Sequence, residues 1–206
     1  MAHSADFSEV EFDPEIKPVS DISLAIVRAA TNCRAETKPF VRASSGQTVI
    51  VREILVFYEF LYFFMHMSLR QAFATPGTDI EALQAILGPL ICSTAIDSYC
   101  GHWPAHLKQK MSGEFYDKLN QAEVEYSGAT QCDAADVGED VNLARLRALF
   151  MTLASNVASL AVDDGKDMTV IEPVMEIAIR QWGEMRLNGL MAAVAERGSD
   201  WLQRYQ

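Results

Sequence analysis

The sequence predicts an all-α protein, a single-domain bundle of about six helices around a long apolar central helix at about residues 47–74. Apolar residues recur three and four positions apart in most long segments, as they do on one face of a helix. No segment alternates strictly between apolar and polar residues, as a half-buried strand would. The chain has 206 residues, of which 50% are hydrophobic, so it can bury a substantial core without requiring a second domain.

Residues 1–19 are predicted to form a flexible acidic arm, with the helical domain spanning 20–206. The arm carries five acidic side chains and one Lys, together with Pro14 and Pro18. A signal peptide begins with basic residues, whereas this segment is acidic, so the sequence favours a cytoplasmic protein. Ser20 and Asp21 offer capping oxygens for a first helix that ends near Cys33, and residues 34–46 are predicted to be a loop.

The segment at about 47–74 gives the strongest helical signal. Its Val, Ile, Phe and Tyr residues also favour strands, but strands rarely exceed ten residues and no turn residue interrupts this run. A transmembrane span is the other alternative. Arg52, Glu53, Glu59 and His66 lie within the run, which favours a buried core helix instead.

The remaining helices are delimited by capping and breaking residues. A third helix is predicted from a Thr78 and Glu81 capping box to about residue 101, with a kink at Gly88 and Pro89. A fourth is predicted to begin at Pro104 and fade by Ser127. The acidic stretch 121–140 is expected to be an exposed loop.

Two further helices are predicted in the last third of the chain. The fifth spans about 140–162 and is stopped by Gly165. The sixth begins with a second capping box, Thr169 and Glu172, and runs to about residue 196. On it Glu176, Arg180 and Glu184 are spaced as a surface salt-bridge ladder.

Four polar residues of the central helix, Arg52, Glu59, His66 and Arg70, form one stripe. At about 100° per residue they lie within about 40° of one another. The simpler interpretation is a water-facing edge or a structural ion pair on a helix packed elsewhere by aromatic side chains. The alternative is a ligand-binding or catalytic stripe, with the imidazole tuned by the carboxylate. Glu59 and His66 are about 10 Å apart along the axis, so such a site needs a group from another helix.

The sequence predicts no cofactor and no metal site. His102 and His106 are weak candidate ligands, because Pro104 between them suggests that His102 precedes the helix. No E-x-x-H pair for a di-iron bundle is present, and neither are the zincin, hydrolase, dinucleotide or P-loop motifs. Free thiols are expected at Cys33, Cys92, Cys100 and Cys132, which contain no C-x-x-C pair.

The net charge of −11 argues against nucleic acid and anionic membranes as partners. The leading functional expectation is therefore a non-enzymatic interaction module that binds another protein or self-associates through excess apolar helix surface. The alternative is a small-molecule-binding or catalytic bundle. In it, Glu59 and His66 are buried and meet groups such as Glu176 or Arg180 of the sixth helix in a cavity.

Overall fold

A computed structural model describes residues 17–44, 46–97, 104–130 and 140–196, together with the helical backbone of 98–100. The described residues divide into two compact units. The first unit draws on 17–27, 68–116 and 187–196, and the second on 28–67 and 117–186. The single domain predicted over 20–206 stays a prediction.

The described residues form seven α-helices and one short 3-10 helix, Lys38–Phe40. The α-helices are α1 Lys17–Thr37, α2 Val49–Ala74, α3 Ile80–Cys100, α4 Ala105–Ala129, α5 Val141–Val162, α6 Met168–Glu184 and α7 Leu187–Glu196. The only pairing of extended backbone within these residues is an isolated bridge between Ser44 and Gln47. The predicted all-α bundle is confirmed. The predicted sixth helix is present as α6 and α7, separated where Arg186 adopts a left-handed φ of 51°.

Helix α2 supplies much of the core of the second unit. Its buried side chains point in nearly every direction around the axis, and they include Phe57, Phe60, Leu61, Tyr62, Phe63 and Met65. The Phe63 ring lies 5.3 Å from Tyr126 of α4 and 5.0 Å from Phe150 of α5, centroid to centroid. Because helices cover it on several sides, the sequence of α2 is apolar almost all the way round.

Side-chain contacts fix the directions of the helices in the second unit. They join Glu59 to Tyr126 and Asn156, His66 to Glu123, and Phe63 to Phe150. Residues later in α2 contact residues earlier in α4 and earlier in α5. Helices α4 and α5 therefore run parallel to each other and antiparallel to α2, while α6 packs against α5.

Two segments expected to be irregular are helical. Helix α1 begins at Lys17 and buries Val19 completely, so residues 17–19 are not part of a flexible arm, and residues 34–37 continue the same helix. Residues 121–129 form the last turns of α4, where Ala122 and Tyr126 are buried four positions apart. Their apolar spacing outweighs the acidic composition that favoured a loop. Residues 1–16 and 131–139 lie outside the described part of the chain.

The helix caps differ from the predicted Thr-based capping boxes. At the start of α3, Asp79 Oδ1 accepts a hydrogen bond from the Ala82 amide at 3.0 Å. At the start of α6, Asp167 Oδ1 accepts from the Thr169 amide at 2.9 Å. In both cases the cap is an aspartate rather than the threonine of the T-x-x-E pattern, since a carboxylate also suits the positive end of the helix dipole.

Helix α3 belongs to the first unit and continues through Pro89 without a break. Its segment Ile80–Asp97 is, among the described residues, the one stretch long and apolar enough by length and composition to cross a membrane. Half of that window is buried in the protein. Its exposed positions include the polar side chains Glu81, Gln84, Ser93 and Asp97. This distribution is typical of an amphipathic core helix.

Candidate functional site

The polar stripe on α2 faces the protein interior over most of its length. Arg52 is 2% exposed and His66 3% exposed, while Glu59 is half-buried. Arg70 alone is exposed. The simpler interpretation holds in both of its forms, because Arg70 faces water and the buried Arg52 forms an ion pair with Asp163. A water-facing edge is wrong for Arg52 and His66, which are buried. The helical spacing located the stripe, but its partners are supplied by other helices.

Arg52 holds the start of α2 against the end of α5. Its Nη1 donates to the carbonyl oxygens of Arg42 at 2.8 Å and Ala161 at 3.0 Å, and its Nη2 donates to the Asp163 carboxylate. Ala161 lies in the last turn of α5, where the helix dipole favours a cation. These contacts engage both terminal nitrogens of Arg52 with groups of the protein itself, which indicates a structural role.

Glu59 is the centre of a partly buried hydrogen-bond cluster. Its Oε1 accepts from the Tyr126 hydroxyl at 2.6 Å and from Asn156 Nδ2 at 2.9 Å. Asn156 Nδ2 also donates to Glu125 Oε1 at 3.0 Å. Both donors reach the same oxygen of Glu59, so within the described residues its Oε2 is left without a hydrogen-bond donor. The carboxylate is thus fixed in orientation with one acceptor atom unused.

The surroundings of Glu59 perturb both members of its short hydrogen bond. Burial raises the pKa of the Glu59 carboxyl, while the hydrogen bonds from Tyr126 and Asn156 oppose the shift without cancelling it. Burial and the adjacent Glu59 raise the pKa of Tyr126 well above its ordinary value. Tyr126 therefore remains a hydrogen-bond donor across the physiological range. A carboxyl perturbed in this way beside a cavity is a common property of functional sites.

The buried His66 and the half-buried Glu123 form a second polar pair, about two turns further along α2. His66 Nδ1 lies 2.9 Å from Glu123 Oε2, and the imidazole lies 5.6 Å from the Tyr126 ring. His66 Nε2 and Glu123 Oε1 are buried without a hydrogen-bond partner. Tyr126 thus stands between Glu59 and His66 as the group from another helix that their axial separation requires.

A cavity of about 240 Å³ opens beside Glu59. Its lining comes from α2, α4 and α5 and comprises Glu59, Tyr62, Lys118, Gln121, Ala122, Glu125, Asn156, Ser159 and Leu160. Lys118, Gln121 and Glu125 are exposed and form its outer side. The Glu59 side chain therefore borders a space that a small solute can enter.

Helix α6, which the sequence suggested as the second wall of a site, contributes nothing to this cavity. Glu176 is exposed, and Arg180 forms an ion pair with Glu36 of α1 rather than a ladder along α6. The residues that do complete the cluster, Tyr126 and Asn156, were not predicted. An available signal was the polar Asn156 beside Val157 and Leu153 on a predicted core face of α5.

The other chemistry-bearing residues do not assemble into a centre. His106 is exposed, and His102 lies outside the described residues. No group of three metal-ligating side chains occurs within the described ranges. Burial raises the pKa of the Cys33 and Cys92 thiols, so both are held as unreactive thiols.

A larger cavity of about 380 Å³ lies between α3 and α4 in the first unit. Four of its polar groups are already paired, because Cys92 Sγ lies 3.4 Å from Ser112 Oγ and Lys108 donates to Asp97 at 3.0 Å. Since these groups satisfy one another, the cavity beside Glu59 is the better candidate for a binding site.

In comparisons with known proteins, no family model, curated protein or solved structure matches this chain.

Proposed function

We propose that this protein binds a small molecule in the cavity beside Glu59, with Glu59 Oε2 as the principal hydrogen-bond acceptor. The observation that carries the proposal is the arrangement of one carboxylate: its Oε1 is held by Tyr126 and Asn156, its Oε2 has no hydrogen-bond donor within the described residues, and the Glu59 side chain lines a cavity of about 240 Å³. Preorganised acceptors of this kind provide orientation in small-molecule sites. They cost little conformational entropy on binding, because the protein has already fixed them.

The rest of the lining suits a ligand with one apolar and one polar side. Tyr62, Ala122 and Leu160 provide apolar surface on three different helices. Gln121 and Ser159 offer neutral donors and acceptors near the opening. The ligand is therefore expected to be small and amphiphilic, with a donor directed at Glu59.

A fragment screen by thermal shift, followed by NMR with uniformly ¹⁵N-labelled protein, tests this proposal. We expect hits that raise the melting temperature of the wild type and perturb the Asn156 side-chain amide signals. Glu59→Gln should reduce their affinity, because it replaces the acceptor oxygen or reorients it. Glu172→Gln, an equal change of charge at an exposed position of α6, is the matched control and should leave binding unaltered. Hits that bind Glu59→Gln as tightly as the wild type would contradict the proposal.

Self-association is a second candidate, favoured by the first two turns of α5. Val141 is 36% exposed, Leu143 59% and Leu146 37%, although both leucines stand at helical spacing from the buried Phe150 and Leu153. Arg145 and Arg147 flank Leu146 in a chain of net charge −11. A second copy of the chain offers both apolar and acidic surface to such a face, and a two-fold dimer would bury it twice.

The mass in solution tests this second candidate. Light scattering on a sizing column should give about 46 kDa at high concentration, twice the 22.9 kDa of one chain. The double substitution Leu143→Ser and Leu146→Ser should restore a monomer, whereas Val124→Ser, at an exposed valine of α4, should not. A monomeric wild type at millimolar concentration would exclude this role for α5.

A further inference from the structure

We propose that the ligand of this cavity carries an organic cation, an ammonium or guanidinium group, which binds against Glu59 and Glu125 together. The inference rests on the proposed function and assigns the chemical class of its ligand. It follows from the geometry of the two carboxylates and from the charges that face the cavity.

The two carboxylates are held close together by one amide group. Asn156 Nδ2 donates to Glu59 Oε1 at 2.9 Å and to Glu125 Oε1 at 3.0 Å, so these two oxygens lie within about 6 Å of each other. A guanidinium or ammonium group presents several donors and bridges acceptors at such a spacing. The second oxygen of each carboxylate remains for the ligand, since Asn156 occupies the first.

The charged groups facing Glu59 leave the cavity with an excess of negative charge. Helix α4 contributes Glu125, the Lys118 ammonium and the neutral phenol of Tyr126, and α5 contributes the uncharged Asn156 and Ser159. Lys118 Nζ donates to Gln121 Oε1 at 3.3 Å on the exposed side of the cavity. When Glu59 is ionised, two carboxylates face one ammonium group, which favours a cationic solute over a neutral one and disfavours an anion.

Binding of a cation at this position is expected to release a proton. Burial raises the pKa of Glu59, and a cation in contact with Oε2 favours the ionised carboxylate and lowers that pKa. The proton that leaves the carboxyl group passes to the buffer as the cation binds. The affinity should therefore increase with pH, up to about tenfold per pH unit between the pKa values of the bound and free forms.

The test uses three probes of similar shape, butylguanidinium, the neutral butylurea and the anionic butyrate. Each is titrated into the full-length ¹⁵N-labelled protein at pH 5.5 and pH 7.5, with the Asn156 side-chain amide as the reporter. We expect butylguanidinium to shift the Asn156 signals with an affinity at least about fivefold higher than that of butylurea, and to bind more tightly at the higher pH. Butyrate should cause no shift.

Variants separate the contributions of the two carboxylates. Glu59→Gln and Glu125→Gln should each weaken butylguanidinium binding several-fold, and Glu59→Gln should also remove the pH dependence. Glu125 is exposed, so its substitution leaves the core intact and remains informative if Glu59→Gln is unstable. Glu172→Gln should bind like the wild type.

The outcomes distinguish this inference from the proposed function. Perturbation of Asn156 by butylurea or butyrate as strongly as by butylguanidinium would overturn the cationic class while leaving a small-molecule site in place. If none of the three probes binds, the cationic class is overturned as well. The broader fragment screen then decides whether the cavity binds a small molecule. Equal binding of butylguanidinium to Glu125→Gln and wild type would exclude the shared use of the two carboxylates.

Discussion

Replacing Arg52 by Ala should destabilise the protein by about 3 kcal/mol. Hydrogen bonds from a charged donor contribute roughly 1.5–3 kcal/mol each, and Arg52 makes two of them to backbone carbonyls. The Ala161 carbonyl would keep one partner, because the Arg42 amide also donates to it at 3.0 Å. The Arg42 carbonyl would lose its side-chain donor. Removal of the buried and unpaired Nε offsets part of the loss.

The contact with Asp163 should add little to this value. The Asp163 side chain is 59% exposed, and exposed ion pairs contribute about 0–1 kcal/mol. Asp163→Asn should therefore cost less than about 1 kcal/mol, since Asn also tolerates the left-handed conformation at this position, where φ is 61°. Arg52→Lys should be intermediate, because one ammonium cannot match the planar fork of the guanidinium.

The free energy of unfolding is measured by urea titration, with hydrogen exchange of peptides covering 158–166 as the local readout. Arg70→Ala is the internal control, because it removes an exposed Arg from the same stripe and should change stability by less than about 0.5 kcal/mol. Faster exchange at the end of α5 is expected only for the Arg52 variants. If Arg52→Ala and Arg70→Ala unfold at the same urea concentration, the structural role assigned to Arg52 is refuted.

Three other predictions concern single side chains. Because the pKa of Glu59 is raised in the folded protein, the folded protein retains a proton that the unfolded chain loses. The free energy of unfolding therefore falls as the pH rises above about 4.3, by at most about 1.4 kcal/mol per pH unit. The fall ends when the pH passes the pKa of Glu59 in the folded state. Urea titrations from pH 4 to 8 should show a smaller fall for Glu59→Gln, and an identical fall would contradict the burial argument. Cys33, buried and with a raised pKa, should react with iodoacetamide on the order of a thousandfold more slowly in the native protein than in urea, measured by peptide mass spectrometry. Pro89→Ala should raise the stability by about 1–2 kcal/mol in urea titrations, because an exposed proline inside α3 lacks a helical donor; a loss of stability would show that α3 depends on it.

The helical periodicity of the sequence predicts the class of fold and the location of the stripe. Spacing alone places Arg52, Glu59 and His66 on one face of α2, because a single helix determines that geometry. Whether a face is buried depends on which helices cover it, and those contacts join residues far apart in the chain. Glu59 meets Tyr126 and Asn156 across separations of 67 and 97 residues.

The acidic composition of one segment led to a wrong prediction, because tertiary packing determines the structure there. The acidic stretch 121–140 indicated a loop, yet its first nine residues, 121–129, belong to α4, and Ala122 and Tyr126 continue the buried face of that helix. The acidic residues Glu123 and Glu125 then enter the polar cluster because they flank that buried face. On α5 the pattern failed in the other direction: Leu143 and Leu146 fit a core stripe but remain exposed. A regular stripe shows which residues share a face, not how far along the helix a partner extends.

The second unit is assembled from two stretches of chain, 28–67 and 117–186, which has a consequence for its synthesis. Helix α2 leaves the ribosome well before the helices that cover it, since Asn156 follows its partner Glu59 by 97 residues. At a translation rate of about 5–20 residues per second, the aromatic side chains of α2 remain uncovered by α5 for on the order of 5–20 s. During that interval the nascent chain presents a surface suited to chaperones, and to aggregation where chaperones are scarce. Its rate of productive folding in the cell should therefore depend more on the speed of translation than on the intrinsic speed of helix formation, which takes about a microsecond.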